Sequence, residues 1–534
     1  MLSDPRSAHN VFYRDVVSCI DETVFAVLYK QKGGRPNVSI RTLVGMMILK
    51  EGEGWTDEQL FNACQFDLRV MLSLGLSNIN DEVPCASTYY GFKVALEKHQ
   101  AKNGVNLLER CFKKLTLEQM DYHGVSGKQI RLDSKLMQSN IAKNSRLALL
   151  LEGLRVHVAS KLDQWSGRIE MTTQEQELLK GLQSKRPHRI LYQMLDKEQS
   201  EMLQLTGELY QKLASKLEKG AVLYELYHQH FKEEKITAEA DDKSEAPTAP
   251  PGSSTVKPKA HKELQSDGIQ SIHDTEANYR KKNNQKVHGY HVQVTETCTE
   301  GNDIDLIVDV STNGAHESES DFLQSTIEQS SKLIGEVDKS EEVRTVIADG
   351  GYDSTENRAW AEKKEDMQLV LTNTKGSARR YEMSQDDQGA LKVHDTKTNT
   401  ECEVKACRGN EDKIVVTNGE GKRVYFTRAQ VANNIRRQQI SEQAEKYHNI
   451  RSNVEATIHQ MFCKLTRRSK TRYRGKFRCH LYVLSRAIWA NYRRIAKKIN
   501  KKPAKILDIL FRALMNRLST KFYNKNCCCC LVPL

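Results

Sequence analysis

The sequence predicts a mixed α+β, or α/β, chain: an all-helical N-terminal unit, then a mixed-sheet core interrupted by one helical and one β-rich insertion. Three observations carry this. Apolar residues recur at helical spacing through residues 1–120, β-like and helical runs alternate after residue 266, and the stretch between is almost wholly helical until it reaches a segment rich in Pro, Ser, Ala and charge.

In "SIRTLVGMMILKEGEG" the apolar residues Ile40, Leu43, Val44, Met47 and Ile48 fall on one helical face. "TDEQLFNAC" opens with Thr56 and has Gln59 three residues on, a capping box leading into Leu60. "STYYGFKVALEKH" gives a third helix. Three short helices can present one of their number to a DNA groove, so 1–120 is read as a helical DNA-binding domain, and a plain helical bundle fits the same pattern. A strand at Gln129 to Met137 opens the core, which is assigned to 125–140 and 266–480.

The helical insertion spans 141–236, with Leu205, Leu209, Leu213 and Leu217 at four-residue intervals. Residues 237–265, containing "TAEADDKSEAPTAPPGSSTVKPKAHKE", are read as a disordered linker because that composition cannot build a core. The core resumes with "HGYHVQVTET" and "DIDLIVDVST", two strands hairpinned about "CTEGN". A helix in "SDFLQSTIEQSSKLIGEV", the strand of "RTVIADGGYDS", a helix through "TENRAWAEKKE" and the strand "MQLVLTNT" follow. A polar β-rich insertion, 377–428, precedes a helix running from Ser441 beyond Leu465. No internal repeat interrupts this order.

No run of about 18 apolar residues occurs, and "MLSDPRSAHN" lacks the charged and apolar regions of a secretory signal, so a cytoplasmic protein without a membrane span is expected. Of the 13 cysteines, Cys19, Cys64, Cys85, Cys111, Cys298, Cys463 and Cys479 are isolated and read as buried free thiols. Cys402 with Cys407, and the run Cys527 to Cys530, lack the repeated two-residue spacing of a structural zinc site. The net charge of +12 is uneven: Met461 to Lys525 holds 20 Lys and Arg against one acid, Asp508, leaving the remainder near −7. Basicity is therefore concentrated in a helical segment, 461–525, which suits contact with a phosphate backbone or forms a solvated helical surface.

Three acids occupy places where chemistry can be done. Asp133 lies in the strand "IRLDSKLM", Asp349 ends "RTVIAD", and Glu455 lies in the helical "HNIRSNVEATIHQMF". Two strand positions and a helix can bring carboxylates together, and such hard oxygen ligands suit two Mg²⁺ or Mn²⁺ ions arranged for in-line phosphoryl displacement. In "VIADGGYDS", Gly350 and Gly351 leave room for metal and a scissile phosphate beside Asp349, whereas Asp353, with Ser354 and Thr355, caps the next helix. The succession of elements is that of a ribonuclease-H-like core, interrupted twice.

The chain resembles the DDE transposases of bacterial insertion sequences, in the broad IS-four/IS-five-like grouping. The resemblance rests on "GRPNVSIRTLVGMMILKEGEGWTDEQLFNACQFDLRVMLSLGL" with "PCASTYYGFKVAL", on "RLDSKLMQSNIA", on "ADGGYDS", and on "RSNVEATIHQMFCKL" followed by "RYRGKFRC". It implies that Asp133, Asp349 and Glu455 are the catalytic triad and the ligands of two Mg²⁺ or Mn²⁺ ions. The third signature of the grouping reads Tyr, two residues, Arg, three residues, Glu, six residues, Lys or Arg. Here Arg451 fits, while His448, beside Tyr447, stands at the tyrosine place and Phe462 at the basic one. Lys464 is nine residues from Glu455 and about 180° round an ideal helix. DNA contacts are accordingly assigned to Arg451, Lys464, Arg467, Arg468, Arg472, Arg474, Lys476 and Arg478.

The resemblance further implies binding of double-stranded inverted repeats and target DNA, metal-dependent nicking and strand transfer, a homodimer in the synaptic complex, and a nucleoid-associated place in the bacterial cytoplasm. The helices of the 141–236 insertion are the candidate protein contact. In several similar transposases an insertion at the place of 377–428 contacts a DNA hairpin, and Tyr381, Tyr425 and Phe426 are the aromatic residues available there. Two other functions fit the same residues: a ribonuclease-H-like nuclease or resolvase without strand transfer, and a catalytically silent, transposase-derived DNA-binding protein.

Overall fold

The computed structural model describes residues 2–29, 38–78, 81–235, 254–282, 284–338, 344–372, 379–386, 388–407, 412–466 and 469–501. The chain begins with helices α1 (Ala8–Asp15), α2 (Ile40–Glu53), α3 (Asp57–Phe66), α4 (Leu68–Ser73), α5 (Ala86–Asn103) and α6 (Leu107–His123). Ser39 caps α2 and Gly54, at φ +76°, stops it. Burial along nearly the whole of α2 makes it the axis of this unit. The Thr56 and Gln59 capping box forms at the start of α3.

Strand β1 (Gln129–Gln138) follows and leads into α7 (Arg146–His157), α8 (Leu162–Ser166), α9 (Thr173–Ser184), α10 (Pro187–Leu191), α11 (Asp196–Ala214) and α12 (Val222–His230). These helices close around their own core of Leu150, Leu154, Leu179, Leu182, Leu209, Leu213 and Leu226. Helix α12 runs directly into β2 (Phe231–Lys235), which pairs antiparallel with β3 (Ser254–Pro258). The expected linker therefore contains a strand. Val256 supplies the reason: it is buried with Phe231 in the insertion's core, while Lys257 pairs with Glu234 at 2.7 Å on the outside. Residues 237–253 of that expected linker lie outside the described residues.

The central sheet is completed by β4 (Asn278–Lys282), β5 (Gln285–Thr297), β6 (Ile307–Gly314), β7 (Arg344–Ala348) and β8 (Met367–Leu371), with α13 (Glu319–Gly335) before β7 and α14 (Thr355–Glu362) after it. The strand order is β4-β5-β1-β7-β8, with β6 also pairing β5. β1 is antiparallel to β5 and parallel to β7, and β7 is parallel to β8. The first strand in the chain thus lies in the middle of the sheet, and the helical insertion leaves and returns at its end.

Strands β9 (Tyr381–Gln385), β10 (Leu391–Asp395), β11 (Thr400–Ala406), β12 (Lys413–Thr417) and β13 (Arg423–Thr427) form a separate antiparallel sheet in chain order around Met383, Val393 and Val416. Helix α15 (Arg428–Phe462) starts at once, with a Thr427 and Gln430 capping box. It begins before Ser441, the expected start, because Val431 and Ile435 pack on the small sheet and give a polar stretch a reason to be helical. The last described element is α16 (Lys476–Lys501).

Helix α16 joins the N-terminal helices to the central sheet in one hydrophobic core. Phe12, Trp489 and Tyr492 pack in tilted and edge-on contacts at that junction, and a Cβ added at Gly52 would overlap the Trp489 ring. Arg486, fully buried, donates to the carbonyls of Glu51 at 2.8 Å and Gly52 at 2.7 Å, and to Met461 O at 2.6 Å. One guanidinium therefore satisfies carbonyls left open at the ends of both α2 and α15. Among the described residues, no helix is long and apolar enough to cross a membrane.

Candidate active site

A single row of side chains across the central sheet locates the site. Glu296 on β5 pairs with Arg131 on β1, Arg131 pairs with Ile347 on β7, and Ile347 pairs with Val370 on β8. Residues level with one another on neighbouring strands share a face, so all four project together. Helix α15 crosses this row: Tyr447 packs on Ile347 and Val370, and Thr457 Oγ1 lies 2.8 Å from Glu296 Oε2. The row beyond it on the same face is two residues further along each strand, about 6.6 Å. There the register, continued by two residues, sets Asp133 level with Asp349. Two carboxylates from adjoining parallel strands consequently face the same helix.

The opposite face of the sheet holds α13, whose Thr326 Oγ1 donates to Gln293 Oε1 at 2.9 Å. Ser134, one residue after Asp133, points to that side and donates from Oγ to Glu319 Oε1 at 3.0 Å. Lys282 Nζ approaches the same oxygen at 2.7 Å, and His291 Nε2 lies 3.6 Å from it. His291 first, then Lys282, hold the Glu319 carboxyl well below the usual carboxylate range against its own burial. Glu319 also fills the space beside Gly351, where an added Cβ would overlap Oε2. The room expected there for metal and phosphate is therefore occupied on one side by a side chain.

Tyr352 is buried directly after Gly351. Burial first, then the charges of Asp133, Glu319 and Asp349, push its hydroxyl pKa well above the ordinary value. The hydroxyl is thus kept neutral. Asp353 does not cap α14: Ser354 Oγ accepts from Asn357 N at 3.1 Å, and Asp353 pairs with Arg358 at 2.9 Å. The shorter Ser354 side chain suits the cap, which frees Asp353 to meet an arginine five residues on.

A buried ionic network ties α15 to β1. Glu296, fully buried, meets Arg131 Nε at 2.7 Å and Arg494 Nη2 at 2.7 Å, and Arg131 reaches Asp305 at 3.3 Å. Thr457, which also contacts this carboxylate, is on the helix that carries Glu455. Glu455 itself is exposed beside the buried stripe Val454, Ile458 and Met461. The structure brings Asp133 and Asp349 to one level, and leaves Glu455 outside any ready-made cage: among the described residues no three His, Cys, Asp or Glu side chains group to hold an ion. A carboxylate pair fits Mg²⁺ nonetheless, because that ion keeps several waters and takes one or two carboxylates together with substrate phosphates.

Of the residues assigned to DNA, Arg467 and Arg468 lie outside the described residues, as does the Arg451 side chain. Lys464 is exposed with its stem against Gly54. Arg472 donates to Trp55 O at 2.7 Å and Gly54 O at 2.9 Å, Arg474 Nε to Asn140 O at 2.7 Å, and Arg478 pairs with Glu97 at 2.9 Å. Lys476 opens α16, its backbone N–H held by Glu276. This basic loop runs beside the end of β1, where Thr471 N donates to Gln138 O. Cys85 and Cys463 are exposed, unlike the buried Cys64, Cys111, Cys298 and Cys479. Cys527 to Cys530 lie outside the described residues.

Fold and site together define a chain built on a carboxylate pair in a mixed sheet, joined by α16 to a helical N-terminal unit. The family described as Transposase domain (DUF772) matches residues 2–94, and that described as Transposase DDE domain matches residues 253–492. The chain belongs to the DDE transposases of insertion sequences. No curated protein and no solved structure matches it. β1, with Asp133, falls between the two matched segments, and only its place between β5 and β7 puts it in the DDE sheet.

Proposed function

We propose that this transposase binds the terminal inverted repeats of its element, nicks DNA there in a metal-dependent reaction, and joins the freed 3′-hydroxyl to target DNA. The supporting observation is the parallel register that sets Asp133 level with Asp349 on the face crossed by α15. The order β6-β5-β1-β7-β8, antiparallel on one side of β1 and parallel on the other, is consistent with a ribonuclease-H-like core.

Asp133 and Asp349 would hold two Mg²⁺ or Mn²⁺ ions, with Glu455 drawn in from α15 as a further ligand. Bound ions of this kind activate a water or hydroxyl nucleophile and stabilise the leaving oxygen of an in-line displacement. Asp133 and Asp349 act by fixing where the scissile phosphate lies. Lys464, Arg472, Arg474, Lys476 and Arg478 steer and hold the flanking phosphates, with Arg451, Arg467 and Arg468 extending that surface. The N-terminal helices contribute to DNA binding, and synapsis of two ends uses a homodimer. Its contact is assigned to the helical insertion, where Tyr192 and Leu195 are 86% and 72% exposed. A variant lacking 141–235 that still dimerised would rule that contact out.

The test is incubation of the full chain with labelled duplexes carrying the element's ends and a target plasmid, with Mg²⁺ or with EDTA. The reading requires metal-dependent nicks at the repeat boundary and joined products. Nicks without joining would make the protein a nuclease, and binding without nicks would make it a silent DNA-binding protein.

A further inference from the structure

We propose that Glu319 is a positioning residue that fixes the separation of Asp133 and Asp349. The inference rests on the reading of those two aspartates as the metal-holding pair. Neither aspartate is next to Glu319 in sequence, yet each is tied to it through a residue one or two places further along the chain. On one side, Ser134 Oγ donates to Glu319 Oε1 at 3.0 Å, so the strand carrying Asp133 is anchored to the start of α13. On the other, Gly351, two residues after Asp349, packs so closely on Oε2 that no Cβ fits between them.

Gly351 is not among the glycines at positive φ, so an added Cβ is opposed here by the Glu319 carboxylate, which would have to shift, and not by backbone conformation. Lys282 Nζ at 2.7 Å and His291 Nε2 at 3.6 Å hold the carboxylate in place. Gly350 and Tyr352 of the same turn are themselves buried. A residue such as Glu319 acts on metal affinity through others, as outer partners of metal ligands do.

The experiment measures single-turnover cleavage of an end duplex by the full chain as Mn²⁺ is titrated, alongside end binding without metal and the thermal midpoint. Glu319→Gln keeps an oxygen for Ser134 but removes the charge that Lys282 and His291 grip. Gly351→Ala leaves Glu319 intact but displaces its carboxylate. Both variants are expected to raise the Mn²⁺ concentration for half-maximal cleavage by about 10- to 100-fold while binding the end as wild type does. Glu319→Asp, one methylene shorter, should partly restore the midpoint in the Gly351→Ala background. Folded Glu319→Gln and Gly351→Ala proteins with the wild-type Mn²⁺ midpoint would overturn the proposal, as would a loss of thermal stability with no change in that midpoint. Asp133→Ala and Asp349→Ala run in parallel: cleavage surviving in either overturns the aspartate reading itself, a result distinct from failure of the Glu319 proposal.

Discussion

Replacing Glu296 with Gln tests how α15 is held over the sheet. The carboxylate is fully buried and takes bonds from Arg131 Nε at 2.7 Å, Arg494 Nη2 at 2.7 Å and Thr457 Oγ1 at 2.8 Å. The amide has nearly the same shape, so packing is conserved and the lost charge is the perturbation. Arg131 is 4% exposed, and Asp305, itself buried enough for its carboxyl to be pushed above the usual range, remains its nearest acid at 3.3 Å. Removing one partner of a buried ion pair costs about 3–5 kcal/mol, and here two guanidinium groups share the partner, which argues for the upper end. Thr457→Val, which removes the hydroxyl that donates to this carboxylate and accepts from Arg494, should cost only about 1–3 kcal/mol. Guanidinium unfolding followed by far-UV circular dichroism gives both values from the shift in midpoint at constant slope. A Glu296→Gln protein within about 1 kcal/mol of wild type would refute the reasoning, because no buried pair is lost so cheaply.

Other expected outcomes follow from single groups. Cys85 is exposed, and the Ser87 and Thr88 hydroxyls, each 3.1 Å from Sγ, lower its pKa to about 7, whereas burial pushes Cys64 and Cys111 up to about 12. Brief alkylation at neutral pH, mapped by mass spectrometry, should therefore modify Cys85 while leaving Cys64 and Cys111 intact. Burial pushes Asp309 up to about 6, so the unfolded chain loses this proton first as pH rises from 3.8, and folding stability falls until the folded group has titrated. Asp309→Asn should flatten that fall between pH 3.8 and 6 in urea unfolding series; an unchanged pH profile would contradict the assignment. Lys464→Ala should weaken end binding and reduce the slope of log K against log salt by about 0.9, measured by fluorescence anisotropy.

Much of the core was legible because local pattern and tertiary role agree. The apolar run Val346 to Ala348, stopped by Asp349 and two glycines, reads as a buried strand end and is one. The Thr56 capping box was readable for the same reason: its two partners are three residues apart. What could not be read depends on contacts made at long range. Glu319 meets Ser134 across 185 residues, and Arg131 meets Glu296 across 165, so neither partnership leaves a local signal. An arginine or a glutamate in a strand ordinarily marks a solvated position, yet both of these are buried by α15 and α16. The early start of α15 was hidden likewise, since Val431 and Ile435 acquire an apolar partner only when β9 to β13 fold beneath them. Gly351 was legible as a place of close approach, but what approaches is Glu319.

The central claim is that Asp133 and Asp349, level on adjacent strands, do the chemistry, with Glu455 joining them from α15. Metal-dependent cleavage and joining of the element's ends by Asp133→Ala, Asp349→Ala, Glu455→Ala and Asp353→Ala proteins tests it most directly. The account predicts that the first three lose cleavage while still binding the ends, and that Asp353→Ala, which loses pairs with Arg358 and Arg436, retains it. Full cleavage by Asp133→Ala or Asp349→Ala, or its loss in Asp353→Ala alone, would contradict the account.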